Sequence, residues 1–118
     1  MTHKYNAKKV TVDGITFDSV AESIYYEEHR NVPNMRRQEK FVLLDKFHLN
    51  GKAYREVSYK PDFTFYDDEG NLIKVVDVKG MILPEFKMKA KFFAARYGVQ
   101  VTIAKRIGKK RIFREEVI

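Results

Sequence analysis

Two alternating runs, "REVSYKPDFTFY" (residues 55–66) and "LIKVVDVKG" (residues 72–80), stand on either side of "DDEGN", and this arrangement constrains the fold more than any other stretch. Alternation with a period of two is the pattern of a strand with one buried face. Asp, Gly and Asn crowded into five positions supply turn chemistry. The two runs are therefore read as a β-hairpin. In the first strand Val57, Tyr59, Pro61, Phe63 and Phe65 share one face, and Ser58, Lys60, Asp62, Thr64 and Tyr66 share the other. In the second, Ile73, Val75, Asp77 and Lys79 lie together. Pro61 has no N–H to give to a ladder, so an edge, bend or bulge is expected beside Asp62.

The rest of the chain supplies partners for this hairpin. "VTVDGITF" places Asp13-Gly14 between two short alternating triplets, a strong signal for an N-terminal hairpin. "DSVAESIYYEEHRN" offers Asp18 or Ser19 as N-cap of a helix that ends near Pro33, with Val20, Ile24 and Tyr25 on one side. "RRQEKFVLLDKF" reads as a strand, with Asn50-Gly51 as the turn after it. "EFKMKAKFFAARYG" has Phe86, Ala90, Phe93, Ala94 and Tyr97 at helical spacing and Gly98 as its C-cap. Phe92, Phe93 and Tyr97 are assigned to the core rather than to a base-stacking platform. "VQVTIA" and "RIFREEVI" complete the set as strands. The expected fold class is α/β: one domain over residues 1–118, with a central mixed sheet flanked by helices and an N-terminal hairpin.

Composition narrows the function. Hydrophobic residues make up 44%, including nine Phe and seven Tyr, which argues for a packed globule rather than a disordered chain. Without cysteine there is neither a disulfide scaffold nor a thiolate metal site. The opening "MTHKYNAKKV" has no apolar segment, so a cytoplasmic protein without a membrane partner is expected. His3, His29 and His48 lack metal-ligand spacing, and no glycine-rich phosphate loop supports an NTPase. Lys and Arg number 23 against 16 Asp and Glu, a net charge of +7, and no acid occurs between Phe86 and Arg114. Lys87, Lys91, Lys109, Lys110 and Arg111 in that window are the expected contacts to a nucleic-acid backbone.

An acid-x-lysine triplet occurs twice. Glu85-Phe86-Lys87 falls in the first turn of a helix, where an acid suits the dipole and the lysine faces water. Asp77-x-Lys79 falls on the strand that pairs with the one carrying Asp62. An odd register, such as a loop from Asp68 to Asn71 closing an Asp67–Leu72 pair, puts Asp62 and Asp77 on one face. Their Cβ atoms would then lie about 5 Å apart, a repulsive arrangement that a hard divalent cation relieves. Lys79 beside them could stabilise charge on a phosphorane-like transition state. The competing reading is a plain Asp77–Lys79 ion pair on an exposed face. Glu22 is open in the same way, because Ser19-x-x-Glu22 is also a capping box.

"KPDFTFY" followed by "VVDVKG", with Glu22 in a preceding helix, resembles the PD-(D/E)XK nuclease superfamily. The chain is similar to small phage and prophage nuclease-like proteins in "FDSVAESIYY", in the glutamine of "RQEKF" and in the helix after the DVKG turn, over about Val10 to Ile103. The resemblance implies a restriction-endonuclease-like core and a magnesium- or manganese-dependent endonuclease. Asp62 matches the metal-binding aspartate, Asp77 the acidic metal ligand, Lys79 the catalytic lysine, Glu22 the helix glutamate and Gln38 an accessory position. It further implies action on branched DNA, as in Holliday-junction resolvases of phage recombination or replication, with a homodimer as the simple way to make two cuts. The alternative from another class is a non-catalytic nucleic-acid-binding protein that uses the basic C-terminal face.

Overall fold

The structure, a computed structural model, describes residues 8–118. The expectation for His3 lies outside the described residues. The chain opens with β1 (Val10–Val12) and β2 (Ile15–Phe17), a hairpin turning at Asp13-Gly14, and continues into α1 (Val20–His29). Ser19 caps α1, its Oγ accepting the Glu22 N–H at 3.1 Å. Then follow β3 (Met35–Arg37), β4 (Phe41–Leu44), β5 (Phe47–Leu49), β6 (Lys52–Tyr54), β7 (Val57–Tyr59), β8 (Phe63–Tyr66) and β9 (Leu72–Val78). Helix α2 (Pro84–Tyr97) leads to β10 (Val101–Arg106) and β11 (Phe113–Val117).

Five strands form the central sheet in the order β11-β10-β9-β8-β3. Strand β9 pairs parallel with β10 and antiparallel with β8, so the sheet is mixed. A parallel pair needs a crossover, and α2 is that crossover. Proline at its first position and Gly98 in the left-handed region (φ 73°), with its N–H on the Ala94 carbonyl at 2.9 Å, set its two ends. The sheet divides two apolar clusters. Phe17, Tyr25, Phe63, Phe65, Val76 and Ala104 pack on the α1 side, and Tyr59, Val75, Ala90, Phe93 and Val101 on the α2 side. Among the described residues no helix is long and apolar enough to cross a membrane.

Three details differ from the sequence reading. "RRQEKFVLLDKF" is not one strand: Gln38 sits in the left-handed region (φ 52°) and separates β3 from β4, which pairs with β7 outside the central sheet. Asn50-Gly51 closes a separate hairpin, β5–β6. The run around Pro61 is likewise two strands, so Tyr59 faces α2 while Phe63 and Phe65 face α1, where unbroken alternation would have put all three together. The missing N–H of Pro61 falls in that break, as its chemistry requires.

The odd register is present, by a different route. Phe63 pairs with Val76, Thr64 with Val75 and Phe65 with Lys74, so one more step brings Asp62 opposite Asp77. Asp67 does not pair with Leu72. Its carboxylate folds back to accept the Glu69 and Asn71 N–H groups at 2.9 and 2.8 Å, Tyr66 takes the place opposite Leu72, and a bulge between Phe65 and Tyr66 restores the register.

The helical phase of α2 also departs from expectation at one position. Phe93 is fully buried against Phe41, Tyr59 and Tyr97, whereas Phe92 is 48% exposed. Phe93→Ala should cost about 3 kcal/mol or more in urea unfolding. Phe92→Ala should change stability by less than about 0.5 kcal/mol, and equal losses would mean that the helix is rotated from the orientation described.

Candidate active site

Asp77 ends the apolar run of β9 and is 3% exposed. A carboxylate so placed must find donors, and the Tyr59 hydroxyl donates to its Oδ2. Burial and, after it, the charge of neighbouring Asp62 push the Asp77 carboxyl up to about 7 against the opposing pull of Tyr59 and Lys79. The Tyr59 phenol is in turn pushed well above its usual range, by burial first and then by the negative charge it faces.

Asp62 occupies the break after Pro61, where the chain leaves one face of the sheet for the other. Its Oδ2 accepts the Val78 N–H at 2.9 Å, which ties it to β9, and its Oδ1 accepts from Gln38 Nε2 at 3.2 Å. The Gln38 N–H also reaches the Asp62 carbonyl at 3.3 Å. The left-handed backbone of Gln38 is unusual for a residue with a side chain, and here it turns both amide groups onto one aspartate.

Glu22 is also buried, on the first turn of α1. Burial and, after it, the charge of Asp62 raise its carboxyl to about 7 against the opposing pull of Arg37, 3.6 Å away. Ser19 supplies its half of the capping box, but the Glu22 carboxylate turns to Arg37 and the site rather than back to the cap. The Arg37 guanidinium lies 4.5 Å over the Phe17 ring, and its buried Nε has no partner among the described residues.

Lys79 lies at 3.9 Å from Asp77 Oδ1, beyond hydrogen-bonding reach, and its ammonium sits 4.6 Å over the Phe86 ring. It is thus held by the ring and left with donors to give. A cavity of about 420 Å³ opens here, lined by Tyr59, Lys60, Asp77, Lys79, Phe86 and Lys89. The structure brings Glu22, Gln38, Asp62, Asp77 and Lys79 to one end of the sheet. Among the described residues, no three His, Asp or Glu side chains form a ready metal cluster. The donors at the site nonetheless fit a hard divalent cation in kind: oxygen atoms alone, on two carboxylates whose mutual repulsion raises Asp77.

The basic residues are sorted differently from expectation. Lys87 and Lys91 are exposed but line a separate cavity with Ile118, while Lys89, two residues from each, lines the one beside Asp77. Lys109 and Lys110 are exposed in the β10–β11 turn. Arg111 bridges to Glu27 and Glu28 at 3.0 and 3.1 Å and staples that turn to α1. Sequence reasoning missed Tyr59 and Arg37, the partners of Asp77 and Glu22. The alternation puts Tyr59 on one face with Phe63 and Phe65, and the bend expected at Pro61 is where the face changes and Tyr59 comes to the side of Asp77.

The fold is of the α/β class, a central mixed sheet with helices packed on it, and Asp77 is buried near the end of its central strand. Residues 2–111 match the family described as "Protein of unknown function (DUF1064)", and the chain belongs to it. No curated protein matches. A solved structure described as "Crystal structure of SSO0001" is similar to this one with a TM-score of 0.55 and 15% identity, over 84% of this chain and 48% of that one. The chain thus spans about half the length of that protein, and at such identity the likeness is one of fold.

The two raised carboxyls make stability depend on pH in a definite direction. Their ordinary values are 3.8 for Asp77 and 4.5 for Glu22, against about 7 in the fold, so between these limits the folded chain holds more protons than the unfolded one. Stability then falls as pH rises through that window. The metal-free protein should gain melting temperature from Asp77→Asn, and the gain should grow as pH rises from about 5 to about 8. Melting curves at both ends of the range check this, and a gain that is constant or shrinks with pH would contradict the raised Asp77.

Proposed function

We propose that this protein is a metal-dependent DNA endonuclease that hydrolyses phosphodiester bonds, with Asp62, Asp77 and Glu22 as the metal-holding carboxylates and Lys79 as the catalytic lysine. The observation that carries the reading is that Asp62, one step beyond the Phe63–Val76 pair and bonded to the Val78 N–H, comes beside Asp77, with Lys79 two residues on at 3.9 Å. Two acids drawn into mutual repulsion at a buried strand end destabilise the fold, and a cation at that point compensates them. The resemblance of "KPDFTFY" and "VVDVKG" to the PD-(D/E)XK superfamily supports the same residues in the same roles, on a restriction-endonuclease-like core.

Magnesium or manganese, when bound, supplies Lewis acidity toward a phosphoryl oxygen and a more acidic bound water. The chain's own groups do the rest. Tyr59 and Gln38 fix the two aspartates, Arg37 orients Glu22 toward them, and Lys79 donates to a phosphate oxygen as charge develops. Branched DNA is the preferred substrate class in this reading. A cytoplasmic setting in phage recombination or replication, and a homodimer for paired cuts, go with it.

Purified protein incubated with linear, nicked, flapped and four-way DNA in magnesium, manganese or EDTA tests the activity. Cleavage should require the metal, and Asp77→Asn and Lys79→Ala should each reduce it by about 10²-fold or more while DNA binding persists. Metal-independent binding without cleavage of any substrate would favour the non-catalytic nucleic-acid-binding alternative. Glu22→Gln separates the site from the cap: it should melt at or above the wild-type temperature yet cleave much more slowly. Normal cleavage by this variant would remove Glu22 from the catalytic set.

A further inference from the structure

Lys79 is the first of three cations in a row. In the parallel pairing of β9 with β10, Asp77 stands beside Ile103, and the Lys79 N–H donates to the Ala104 carbonyl at 3.1 Å, carrying the ladder one step further. Across the next boundary Ile103 pairs with Glu116, and Lys105 with Arg114. Side chains alternate along a strand, and Val75 and Val101 fix the phase by packing toward α2. Asp77, Ile103 and Glu116 therefore form one row on the α2 face, and Lys79, Lys105 and Arg114 form the row after it.

Lys105 and Arg114 lie directly opposite each other, and like charges so placed destabilise a sheet. Other cations nearby are compensated. Lys74 pairs with Glu115 at 2.7 Å, Arg106 donates to the Lys109 and Lys110 carbonyls, and Arg111 bridges two glutamates. Among the described residues neither Lys105 nor Arg114 has such a partner. The space beside them is open: a cavity of about 240 Å³ is lined by Lys79, Ile103, Lys105, Arg114 and Glu116, and a further one of about 220 Å³ by Lys105, Arg106 and Arg114. Lys79 also lines the cavity of Asp77, so the cationic groove runs on from the carboxylates without a gap in its lining residues.

We propose that Lys105 and Arg114, which continue the row that Lys79 begins, form a phosphodiester subsite that holds the nucleic-acid phosphate next along the strand from the one presented to Asp62, Asp77 and Lys79. The proposal rests on the nuclease reading and names where its substrate backbone runs. Three adjacent strands span about 10 Å, room for neighbouring phosphates of one strand. Arg114 offers a planar fork to phosphate oxygens, and Lys105 acts as a point charge. Glu116 in the same lining disfavours a free dianionic phosphate relative to the singly charged diester. Lys105 and Arg114 fall within the acid-free window of the sequence, and the sheet sets them apart from the basic turn and the α2 lysines of that window.

The test is the salt dependence of binding to a short fluorescein-labelled DNA duplex in EDTA, followed by anisotropy. Lys105→Gln with Arg114→Gln should weaken binding and lower the slope of log K against log salt by about 0.9, the value for the one phosphate this pair holds. Lys46→Gln with Lys52→Gln, on the β5–β6 hairpin, removes the same charge outside this groove and should have a clearly smaller effect. Lys105→Glu, which places an acid opposite Arg114, should raise the melting temperature while DNA affinity falls, so that loss of binding cannot be attributed to misfolding. An unchanged slope in the folded double variant, an equal loss in the hairpin control, wild-type protein that does not bind the duplex, or displacement of the duplex by micromolar inorganic phosphate would each overturn the subsite. Cleavage of the same duplex in magnesium is read separately. Binding with the expected slope but no cleavage of any DNA refutes the nuclease reading and leaves the phosphate contact standing, whereas cleavage with an unchanged slope refutes the row alone.

Discussion

Because side chains alternate across a pleated sheet, a slip of one residue between β8 and β9 would carry Asp77 from the α2 face to the α1 face and with it every contact of its carboxylate. The bulge between Phe65 and Tyr66 prevents that slip. The turn is closed tightly by the Asp67 side chain, which leaves Tyr66 opposite Leu72, and the bulge then resets the pairing for the rest of the strands. From this register follow the proximity of Asp62 to Asp77, the reach of Tyr59 to Asp77 and the bond from the Val78 N–H to Asp62. The site is a product of sheet geometry before it is a product of loops.

The energetic character of this strand end is one of opposed demands. Burial disfavours charge on Asp77 and Glu22, and each is given a compensating neighbour: a phenol for one and a guanidinium for the other. Gln38 holds Asp62 from a backbone conformation that costs of order 1 kcal/mol or more. A chain selected for stability alone would replace such acids by apolar residues of similar size. Beside them stand a strained backbone position, Gln38, and the Lys79 ammonium, 3.9 Å from the Asp77 Oδ1.

Much of this could be read from the amino-acid order because it depends on local chemistry. Asp13-Gly14, Ser19, Gly98 and the alternation of "LIKVVDVKG" each specify their element through near neighbours, and the parity that unites Asp62 with Asp77 follows from the turn residues between them. What escaped was set at a distance or by backbone state. The left-handed Gln38 divides what looks like one strand, and no pattern of apolar residues reports a positive φ on glutamine. The change of face at Pro61 reassigns Tyr59, and the capture of Arg111 by Glu27 and Glu28 depends on a contact between residues more than eighty positions apart. Phe92 and Phe93 are adjacent, so a small error in helical phase exchanges the buried ring for the exposed one.

The seating of α1 has a further consequence. Tyr25 donates to Glu115, 90 residues later, and packs edge-on against Phe113, while Glu27 and Glu28 are held by Arg111. The helix that carries Glu22 is thus tied at one end of the sequence to β1 and β2 and at the other to β11 and the turn before it. A chain truncated before Arg111 would keep the central hairpin and its two aspartates but would leave Tyr25, Glu27 and Glu28 without these partners.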